Sequence, residues 1–400
     1  MSDKQKAVVA MSGGVDSSVA AALLKEQGYD LVGVTMVLSC SSTSSDRGCC
    51  SFSAAADAKK IADQLGFSHY TINFKDEFKH LVIDNFIEEY RMGRTPNPCI
   101  RCNQFLKFDL LLKKAKELGA EFIATGHYAR IIKAAPSPHP SNSKSNDWSI
   151  TPSPIGRGTL NYNHQQKEAE GEGSYHLYKG KDQKKDQSYV LYTMNQEQLA
   201  HTLFPLEEMT KTEVRKLAKE LKLPLAEKEE SQEICFVEDD DYGRFIREAI
   251  PEAVKPGKIV DKNGKQVGEH EGIAFYTIGQ RKGIGAHQGM PKYVIAIDRD
   301  QNRVVIGDQD DLMAKELIAE QVAFISGEIP ATPLEVEAKI RYNSFAAKAM
   351  VNLEHGTRNI ELRARVIFKE PQRAVTPGQS VVFYQGEEVI GGGIISREDK

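Results

Sequence analysis

The stretch of the chain best suited to chemistry is a glycine- and serine-rich loop near the N-terminus. An apolar run leads into Ala10, Met11, Ser12, Gly13, Gly14, Val15, Asp16 and Ser17. Two adjacent glycines let the backbone approach an anion without a Cβ in the way. Helical spacing follows, so the N–H groups and positive dipole of a helix N-terminus would face the same anion. The order strand, glycine turn, helix predicts a cradle for pyrophosphate.

This loop differs from the common phosphate-binding motifs. It has neither the Gly-Lys-Ser/Thr of Walker A loops nor the Gly-x-Gly-x-x-Gly of dinucleotide-binding folds. It resembles the Ser-Gly-Gly-x-Asp-Ser loop of the ATP pyrophosphatases, which adenylate a substrate and release pyrophosphate. The resemblance implies that ATP binds here.

Cysteines form the second set of reactive side chains. The chain has six, at positions 40, 49, 50, 99, 102 and 235. In a reducing compartment such cysteines are more often catalytic or metal-binding than joined in structural disulfides. Cys99 and Cys102 follow Thr-Pro-Asn-Pro, whereas Cys235 stands alone in Ser-Gln-Glu-Ile-Cys-Phe.

Composition narrows the class of protein. The 400 residues are 40% hydrophobic, which suits a chain of two or three domains with an apolar core. We expect a cytoplasmic protein without membrane contact, since no apolar run approaches the roughly 20 residues of a membrane span and no signal-like segment begins the chain. The net charge of −4 predicts that any nucleic acid is held by local basic patches.

Strand and helix signals alternate over the first third of the chain. Strands are predicted at 7–10, 31–38, 67–73 and 122–125, and helices after Asp16 and at 54–65, 79–91 and 103–118. This alternation predicts an α/β fold with a doubly wound parallel sheet. Ligands of such sheets bind at the carboxyl ends of the strands. The Gly-Gly loop, Met36, the Cys99/Cys102 segment and Gly126-His127 fall at or near such ends.

The remaining chain differs in character. Residues 134–174 are polar and aperiodic, and we expect a disordered insertion there. A good helix is predicted at 207–221, with a capping box formed by Thr210 and Glu213. Short β-like segments follow at 258–261, 272–278, 293–298, 303–307, 334–340, 348–352, 360–368 and 380–384. We therefore expect a catalytic domain at 1–238, a small β-rich connector at 239–307 and a β-barrel at 308–400.

Several motifs occur in the order found in one enzyme family. After the first loop come Gly-Arg-Thr-Pro-Asn-Pro-x-x-x-Cys-Asn (93–103), Ala-Thr-Gly-His-Tyr (124–128), Lys-Asp-Gln-Ser-Tyr (185–189), Ile-Cys-Phe (234–236), Tyr-Thr-Ile-Gly-Gln-Arg-Lys-Gly (276–283) and Arg-Tyr (341–342). The chain resembles the tRNA-specific 2-thiouridylase (MnmA) family of the ATP-pyrophosphatase, or adenine nucleotide alpha-hydrolase, superfamily. The resemblance covers nearly the whole chain except 134–174.

This resemblance implies a tRNA-uridine 2-sulfurtransferase. The family replaces O2 of the wobble uridine, position 34, with sulfur in the tRNAs for Lys, Glu and Gln. ATP, with Mg²⁺, adenylates the uridine oxygen, and a cysteine persulfide delivers the sulfur. The implied partners are these tRNAs and a persulfide donor, such as a cysteine desulfurase or a sulfur relay protein.

The resemblance also assigns residues. Cys102 matches the family's nucleophile, and Cys235 matches the cysteine that carries the persulfide; the two are expected to form a disulfide after turnover. Residues 10–17, Met36 and Gly126 match the ATP contacts. The matched tRNA contacts are Asn97, Pro98, Cys99, His127, Lys185, Asp186, Gln187, Arg341, Tyr342 and Gln379.

One position departs from the family. Cys99 stands where well-studied members have an aspartate proposed as acid/base, and a thiol can replace it only with a suitable pKa. Alternatively, Cys99, Cys102 and Cys235 would ligate a [4Fe–4S] cluster whose free iron holds sulfide. Cys102 would then be a ligand and not a nucleophile, and the sequence leaves both routes open.

Two other classes of function stay open. One is a small-molecule synthetase of the pyrophosphatase group, of the argininosuccinate type, which does not need the pair Cys102 and Cys235. The other is a non-catalytic tRNA-binding protein with a vestigial loop, against which the intact Ser-Gly-Gly-Val-Asp-Ser-Ser argues.

Overall fold

The computed structural model describes residues 4–38, 52–134, 174–225, 234–237, 241–284, 291–355 and 362–396. Cys40, Cys49 and Cys50 lie outside these ranges, as does nearly all of the insertion expected at 134–174. The strands of the described residues form three sheets. None of the described helices is long and apolar enough to cross a bilayer.

The N-terminal part is built on a parallel sheet of order β3-β2-β1-β4-β7. Its strands are β1 (Lys6–Ala10), β2 (Asp30–Val37), β3 (Ser68–Asn73), β4 (Phe122–Ala124) and β7 (Thr202–Leu203). The chain winds outward from β1 to β3 and then returns to the other side of β1 with β4. The predicted doubly wound fold is confirmed, and its strand order reverses between β1 and β4.

Helices cover this sheet, and the sheet separates two apolar cores. Val8 of β1 belongs to one core, while its neighbours Ala7 and Val9 belong to the other. A strand buried on both faces has to be apolar throughout, which explains the continuous run before the first loop. Among the covering helices are α1 (Val15–Glu26), α2 (Phe52–Leu65), α7 (Gln196–Ala200) and α8 (Lys211–Glu220).

Two long helical segments contain π-helical stretches. α3 (Lys75–Phe78) runs through π-helical turns at Lys79–Ile83 into α4 (Asp84–Arg91). α5 (Pro98–Arg101) runs through π-helical turns at Cys102–Leu110 into α6 (Leu111–Glu117). Both segments begin before the helices predicted at 79–91 and 103–118. Cys102 therefore opens a π-helical stretch, a rare conformation that is frequent at functional sites.

The connector follows α9 (Tyr242–Ala249) and has a sheet of order β10-β11-β8-β9. Its strands are β8 (Gly257–Asp261), β9 (Gln266–His270), β10 (Tyr293–Asp298) and β11 (Arg303–Gly307). The strand predicted at 272–278 is wrong, because Ile273–Phe275 form a 3₁₀ helix. Contacts with α9 replace strand pairing there: the Tyr242 hydroxyl donates to the Ala274 carbonyl at 2.8 Å, and Arg247 lies over the Phe275 ring.

The C-terminal part is a closed six-stranded antiparallel barrel, as predicted. Its strands follow the order β12-β15-β14-β13-β16-β17, and β17 pairs back onto β12. They are β12 (Met313–Phe324), β13 (Leu334–Lys339), β14 (Ala347–His355), β15 (Leu362–Arg373), β16 (Ser380–Gln385) and β17 (Glu388–Ile395). An unforeseen hairpin, β5 (Ala129–Lys133) and β6 (Tyr175–Lys179), also pairs with β17 and ties the N-terminal part to the barrel.

Candidate functional site

The Gly-Gly loop is held in shape by its own hydroxyl groups. The Ser17 hydroxyl accepts from the Ser12 backbone N–H at 3.3 Å and donates to the Gly14 carbonyl at 3.2 Å. Gly13 has φ +63°, and a Cβ there would lie 2.5 Å from the Ala54 carbonyl oxygen of α2, so only glycine fits. Gly14, the N-cap of α1, has no side chain to cap the helix. The first N–H groups of α1 are therefore not capped by the side chain of the N-cap residue, and the predicted anion-binding role of this helix end stays a prediction.

The loops after β1 and β4 meet where the strand order reverses. A Cβ on Gly126 would lie 2.8 Å from both the Asp16 carbonyl carbon and the Ser17 nitrogen. Residues of the loop alternate in exposure: Ser12, Gly14 and Asp16 are half-buried, whereas those between them are buried. This accessible edge lies in the crevice where open α/β sheets bind ligands.

The remaining residues matched to ATP contacts line the same strand ends. Ala10 ends β1 and is half-buried, Met11 is buried, and Met36 near the end of β2 is 7% exposed. The Thr35 hydroxyl donates to the Met11 carbonyl at 2.7 Å and joins the two strand ends. Their positions suit a wall beside the Gly-Gly loop.

Asp16 is bound by Lys211, which the sequence did not single out, and by Tyr128, the last residue of the motif at 124–128. Lys211 Nζ lies 2.7 and 2.8 Å from the Asp16 carboxylate oxygens, and the Tyr128 hydroxyl donates to Oδ1 at 2.7 Å. The Lys211 side chain is only 11% exposed, at the first position of α8. Lys211 thereby brings a positive charge beside the first turn of α1. The only sequence signal for it was the capping box of Thr210 and Glu213, which located the helix but not this contact.

His127 is part of the core. Its ring packs between Phe108 and Phe204, at centroid distances of 5.7 and 5.9 Å, and its Nδ1 lies 2.7 Å from the Thr125 hydroxyl. Burial, with a smaller effect of nearby Lys107, holds the pKa of His127 well below its usual range. The neutral ring therefore fixes the end of β4 and presents little surface to a macromolecule.

Cys99 and Cys102 have different surroundings. Asn97 caps α5 by accepting from the Cys99 backbone N–H at 3.2 Å, and buried Pro98 occupies the first helical position. Cys99 is exposed, whereas Cys102 is buried at the edge of the apolar core. The helical segment that starts with α5 thus presents the Cys99 thiol to solvent and keeps the Cys102 thiol in the interior.

Asn103, directly after Cys102, carries a buried acceptor. Its Nδ2 donates to the Val190 carbonyl at 3.0 Å, which links the Cys102 helix to the 3₁₀ helix Ser188–Leu191. Its Oδ1 is buried and has no hydrogen-bond partner in the described part of the chain. The sequence motif pointed to the pair Cys102 and Asn103, but it did not predict the hydrogen bond of Asn103 to Val190 or its buried acceptor.

Cys235 is exposed on a short turn that an aromatic side chain anchors. Phe236 packs against Phe78 and Phe86, with ring centroids 5.6 and 5.1 Å apart. Phe78 and Phe86 belong to the helical segment of α3 and α4. The segment that carries Cys102 packs on the same helical segment, through a hydrogen bond of 2.9 Å from Arg101 Nε to the Leu81 carbonyl. The turn of Cys235 and the helix of Cys102 therefore flank the same α3–α4 segment.

A [4Fe–4S] cluster would need Cys99, Cys102 and Cys235 as neighbouring ligands. In the residues described, no three His, Cys, Asp or Glu side chains come together as a group able to hold a metal. Cys102 is also buried while Cys99 and Cys235 are exposed. This arrangement does not fit the cluster hypothesis.

The segment 185–187 forms a compact turn against the barrel. Lys185 is half-buried, and Asp186 is 8% exposed and accepts from the Ser188 backbone N–H and hydroxyl at 3.1 and 2.9 Å. Gln187 Oε1 accepts from the Tyr128 backbone N–H at 3.0 Å. The side chains of Asp186 and Gln187 thus stabilise the turn, and Lys185 supplies the positive charge of the turn.

Gln379 lies where the three parts of the chain meet. Its Nε2 donates to the Thr95 and Pro96 carbonyls at 2.8 and 3.3 Å, just before Asn97. The Thr95 hydroxyl also lies 3.1 Å from the hydroxyl of Thr277 in the connector. The barrel and connector thereby buttress the segment that carries Cys99 and Cys102.

Arg341 and Tyr342 follow β13 on the barrel. Arg341 Nη1 donates to the Ala374 carbonyl at 3.4 Å, and burial followed by the charge of Arg373 lowers its pKa. The Tyr342 ring packs edge-on against Tyr189, 6.1 Å away, beside the 185–187 turn. A basic and aromatic strip therefore runs from the N-terminal part onto the barrel.

Three family models match the chain in succession. They are described as a tRNA methyl transferase HUP domain at residues 5–239, a tRNA methyl transferase PRC-barrel domain at 243–308 and an aminomethyltransferase beta-barrel domain at 314–395. A solved NMN synthetase from Francisella tularensis is a remote neighbour, with 15% identity, a TM-score of 0.30 and coverage of 57% of this chain and 66% of that one.

Curated relatives are much closer. The tRNA-specific 2-thiouridylase MnmA of Clostridium perfringens is 46% identical over 98% of both chains. That of Acetivibrio thermocellus is 47% identical, over 98% of this chain and 99% of its own. With such identity along almost the entire sequence, the chain belongs to the tRNA-specific 2-thiouridylase family.

Proposed function

We propose that the protein catalyses the ATP-dependent 2-thiolation of uridine in tRNA. One observation carries the proposal: a preorganised pyrophosphate loop and two cysteines in contrasting environments lie in one α/β unit, in a chain of the 2-thiouridylase family. A carbonyl-type oxygen is a poor leaving group and AMP is a good one. The loop serves the activation and the thiols serve the transfer of sulfur.

In the activation step, uridine O2 attacks the α-phosphorus of ATP, and the bond to the bridging oxygen breaks to release pyrophosphate. The Ser12 hydroxyl and the N–H groups of the first turn of α1 would bind pyrophosphate, while the Ser17 hydroxyl holds the loop in shape and Lys211 adds positive charge. Both Asp16 oxygens are bound by Lys211, so Asp16 does not fit a ligand for Mg²⁺. We expect Mg²⁺ to enter with the phosphates of ATP.

In the sulfur step, the terminal sulfur of a persulfide on Cys235 attacks C2 of the adenylated uridine, and AMP leaves. The Cys102 thiolate then attacks Sγ of Cys235. A Cys102–Cys235 disulfide forms, and the electrons of the broken S–S bond stay on the sulfur of 2-thiouridine. A thiol reductant restores both cysteines, and a persulfide donor, such as a cysteine desulfurase or a sulfur relay protein, reloads Cys235.

Cys99 occupies the acid/base position of this scheme. Cys99 is exposed at the capped start of α5, so its thiol is accessible to the target uracil of a tRNA held near Asn97 and Pro98. We expect Cys99→Ala to retain part of the activity and Cys99→Asp to restore it, because a carboxyl group can exchange a proton at the same place. Loss of all activity in Cys99→Asp would contradict this role.

The substrate range follows the resemblance. We propose position 34 of the tRNAs for Lys, Glu and Gln as target, with the reaction in the cytoplasm. Residues 1–238 would perform the chemistry, 239–307 would connect, and 308–400 would hold the tRNA. Lys185, Arg341, Tyr342 and Gln379 lie on or next to the strip that joins these parts, which supports a tRNA path along it.

The test is a purified reaction with ATP, unmodified tRNA and a persulfide donor. We expect pyrophosphate release that requires tRNA, and 2-thiouridine in the digested product. Cys102→Ser and Cys235→Ser should each abolish 2-thiouridine, and Cys102→Ser should retain labelled sulfur on Cys235. Pyrophosphate release without tRNA would favour a small-molecule synthetase. A methylated nucleoside in place of 2-thiouridine would favour methyl transfer, the reaction that the descriptions of two of the family models name.

A further inference from the structure

An almost fully exposed aromatic ring stands on the barrel outside the residues discussed so far. Phe345 is 96% exposed, and the next most exposed large apolar side chain among the described residues is Ile329 at 61%. Phe345 lies in the turn between β13 and β14. The Ser344 hydroxyl closes this turn, accepting from the Arg341 N–H at 3.2 Å and donating to the Arg341 carbonyl at 2.9 Å. The ring is therefore presented by an ordered turn.

Cations that lack carboxylate partners lie on and beside this turn. In the part of the chain that the structure describes, Lys339, Arg341 and Arg373 have no carboxylate oxygen within 4.0 Å. The guanidinium groups of Arg341 and Arg373 are close enough for repulsion to lower the pKa of Arg341. The guanidinium groups of Arg341 and Arg373, held close together as like charges, favour binding of an anion such as phosphate.

Aromatic rings continue the strip toward the N-terminal part. Lys339 Nζ lies 5.7 Å from the ring centroids of both Tyr189 and Tyr342. Tyr342 already packs on Tyr189, whereas Phe345, three residues further along the chain, is 96% exposed. A ring next to phosphate-binding cations is the combination with which proteins bind unpaired nucleotides, because every base offers a π face.

We propose that Phe345 stacks on an unpaired base of the bound tRNA while Lys339, Arg341 and Arg373 bind neighbouring phosphates. The proposal rests on tRNA being the substrate. A protein partner seated on Phe345 is the competing occupant, and the polyanion is favoured because Arg341 and Arg373 form no ion pair with a carboxylate among the residues that the structure describes.

The affinity test compares tRNA binding by matched variants. Phe345→Ala should weaken binding about tenfold, and Phe345→Leu similarly, because leucine is apolar but has no π face. Phe345→Tyr should bind as the wild type does. Ile329→Ala, an exposed apolar residue in another turn, is the control and should change nothing. The salt slope should stay constant in Phe345→Ala and fall by about one unit in Arg341→Ala.

A fluorescence test reports the stacking itself. The chain has one tryptophan, Trp148, so Phe345→Trp combined with Trp148→Phe carries a single reporter. Its emission should be quenched by tRNA with the affinity of the wild type, while Ile329→Trp in the same background should not. If the wild type thiolates tRNA but Phe345→Ala binds it equally well and Trp at 345 is unquenched, the stacking proposal is wrong and the proposed function stands. A wild type that binds no tRNA overturns both.

Discussion

At the scale of single residues, the ion pair of Asp16 and Lys211 is the main addition to the sequence-based account. The partners are 195 residues apart, so no local pattern relates them. The sequence predicted the loop because its glycines and serines are adjacent. It missed Lys211 because only folding brings α8 to α1.

We predict that Lys211→Met lowers the rate of tRNA-dependent pyrophosphate release about 100-fold. The substitution removes the cation beside the pyrophosphate loop and leaves Asp16 to repel phosphate. Lys216→Met, on the same helix with a 78% exposed side chain, is the matched control and should keep the wild-type rate. Equal rates for the two variants would show that Lys211 has no part in the reaction.

His127 predicts a specific dependence of stability on pH. Because burial lowers its pKa in the folded chain, the unfolded chain binds a proton at the higher pH. The stabilisation is complete above the unfolded pKa of about 6.5 and is lost as the pH falls below it, by up to about 1.4 kcal/mol per pH unit. His127→Gln should therefore show a shallower loss of thermal stability on acidification than the wild type. Parallel curves would mean that the pKa of His127 is not lowered in the folded chain.

At the scale of elements, the strand ends were predictable and some element types were not. The alternating pattern predicted the parallel sheet, which the structure confirms, and placed the candidate site at the carboxyl edge of that sheet. The segment 272–278 has the residue types of a strand. In the structure, side chains of α9 contact it instead: Tyr242 donates a hydrogen bond to the Ala274 carbonyl, and Arg247 lies over the Phe275 ring. The π-helical start at Cys102 has no sequence signal, because it depends on how the helix packs.

The close contact between the β4 loop and α1 gives an element-level prediction. In Gly126→Ala the new Cβ would lie 2.8 Å from the backbone of Asp16 and Ser17, so the loop and helix have to separate. We expect at least about tenfold weaker ATP binding. Gly268→Ala is the control, since its Cβ meets nothing closer than 3.7 Å. Isothermal titration with ATP measures both, and unchanged binding in Gly126→Ala would exclude Gly126 from the site.

At the scale of the whole molecule, the chemistry depends on contacts between parts that the sequence treats as separate. The sequence predicted a barrel, but not that Gln379 reaches the segment before Asn97 or that β6 pairs with β17. Such contacts join residues far apart in the chain. Under the proposed function, they would let a tRNA held on the barrel reach the cysteines of the α/β part.

The hairpin of β5 and β6 predicts that residues 135–173 are dispensable for thiolation. The backbone N–H of Ala134 donates to the Ser174 carbonyl at 2.8 Å, so a two-residue Asn-Gly turn can join these ends. We expect the deletion to retain most of the 2-thiouridine formation of the full chain and to preserve the pairing of β6 with β17. A soluble deletion variant that binds ATP but does not thiolate tRNA would contradict this prediction.

The central claim is that the uridine oxygen is adenylated before sulfur replaces it. The most direct measurement uses tRNA whose target uridine carries a heavy oxygen isotope at O2, followed by mass spectrometry of the released AMP. Our account predicts one labelled oxygen in AMP for each 2-thiouridine formed, with unlabelled pyrophosphate. Formation of 2-thiouridine with unlabelled AMP would contradict it.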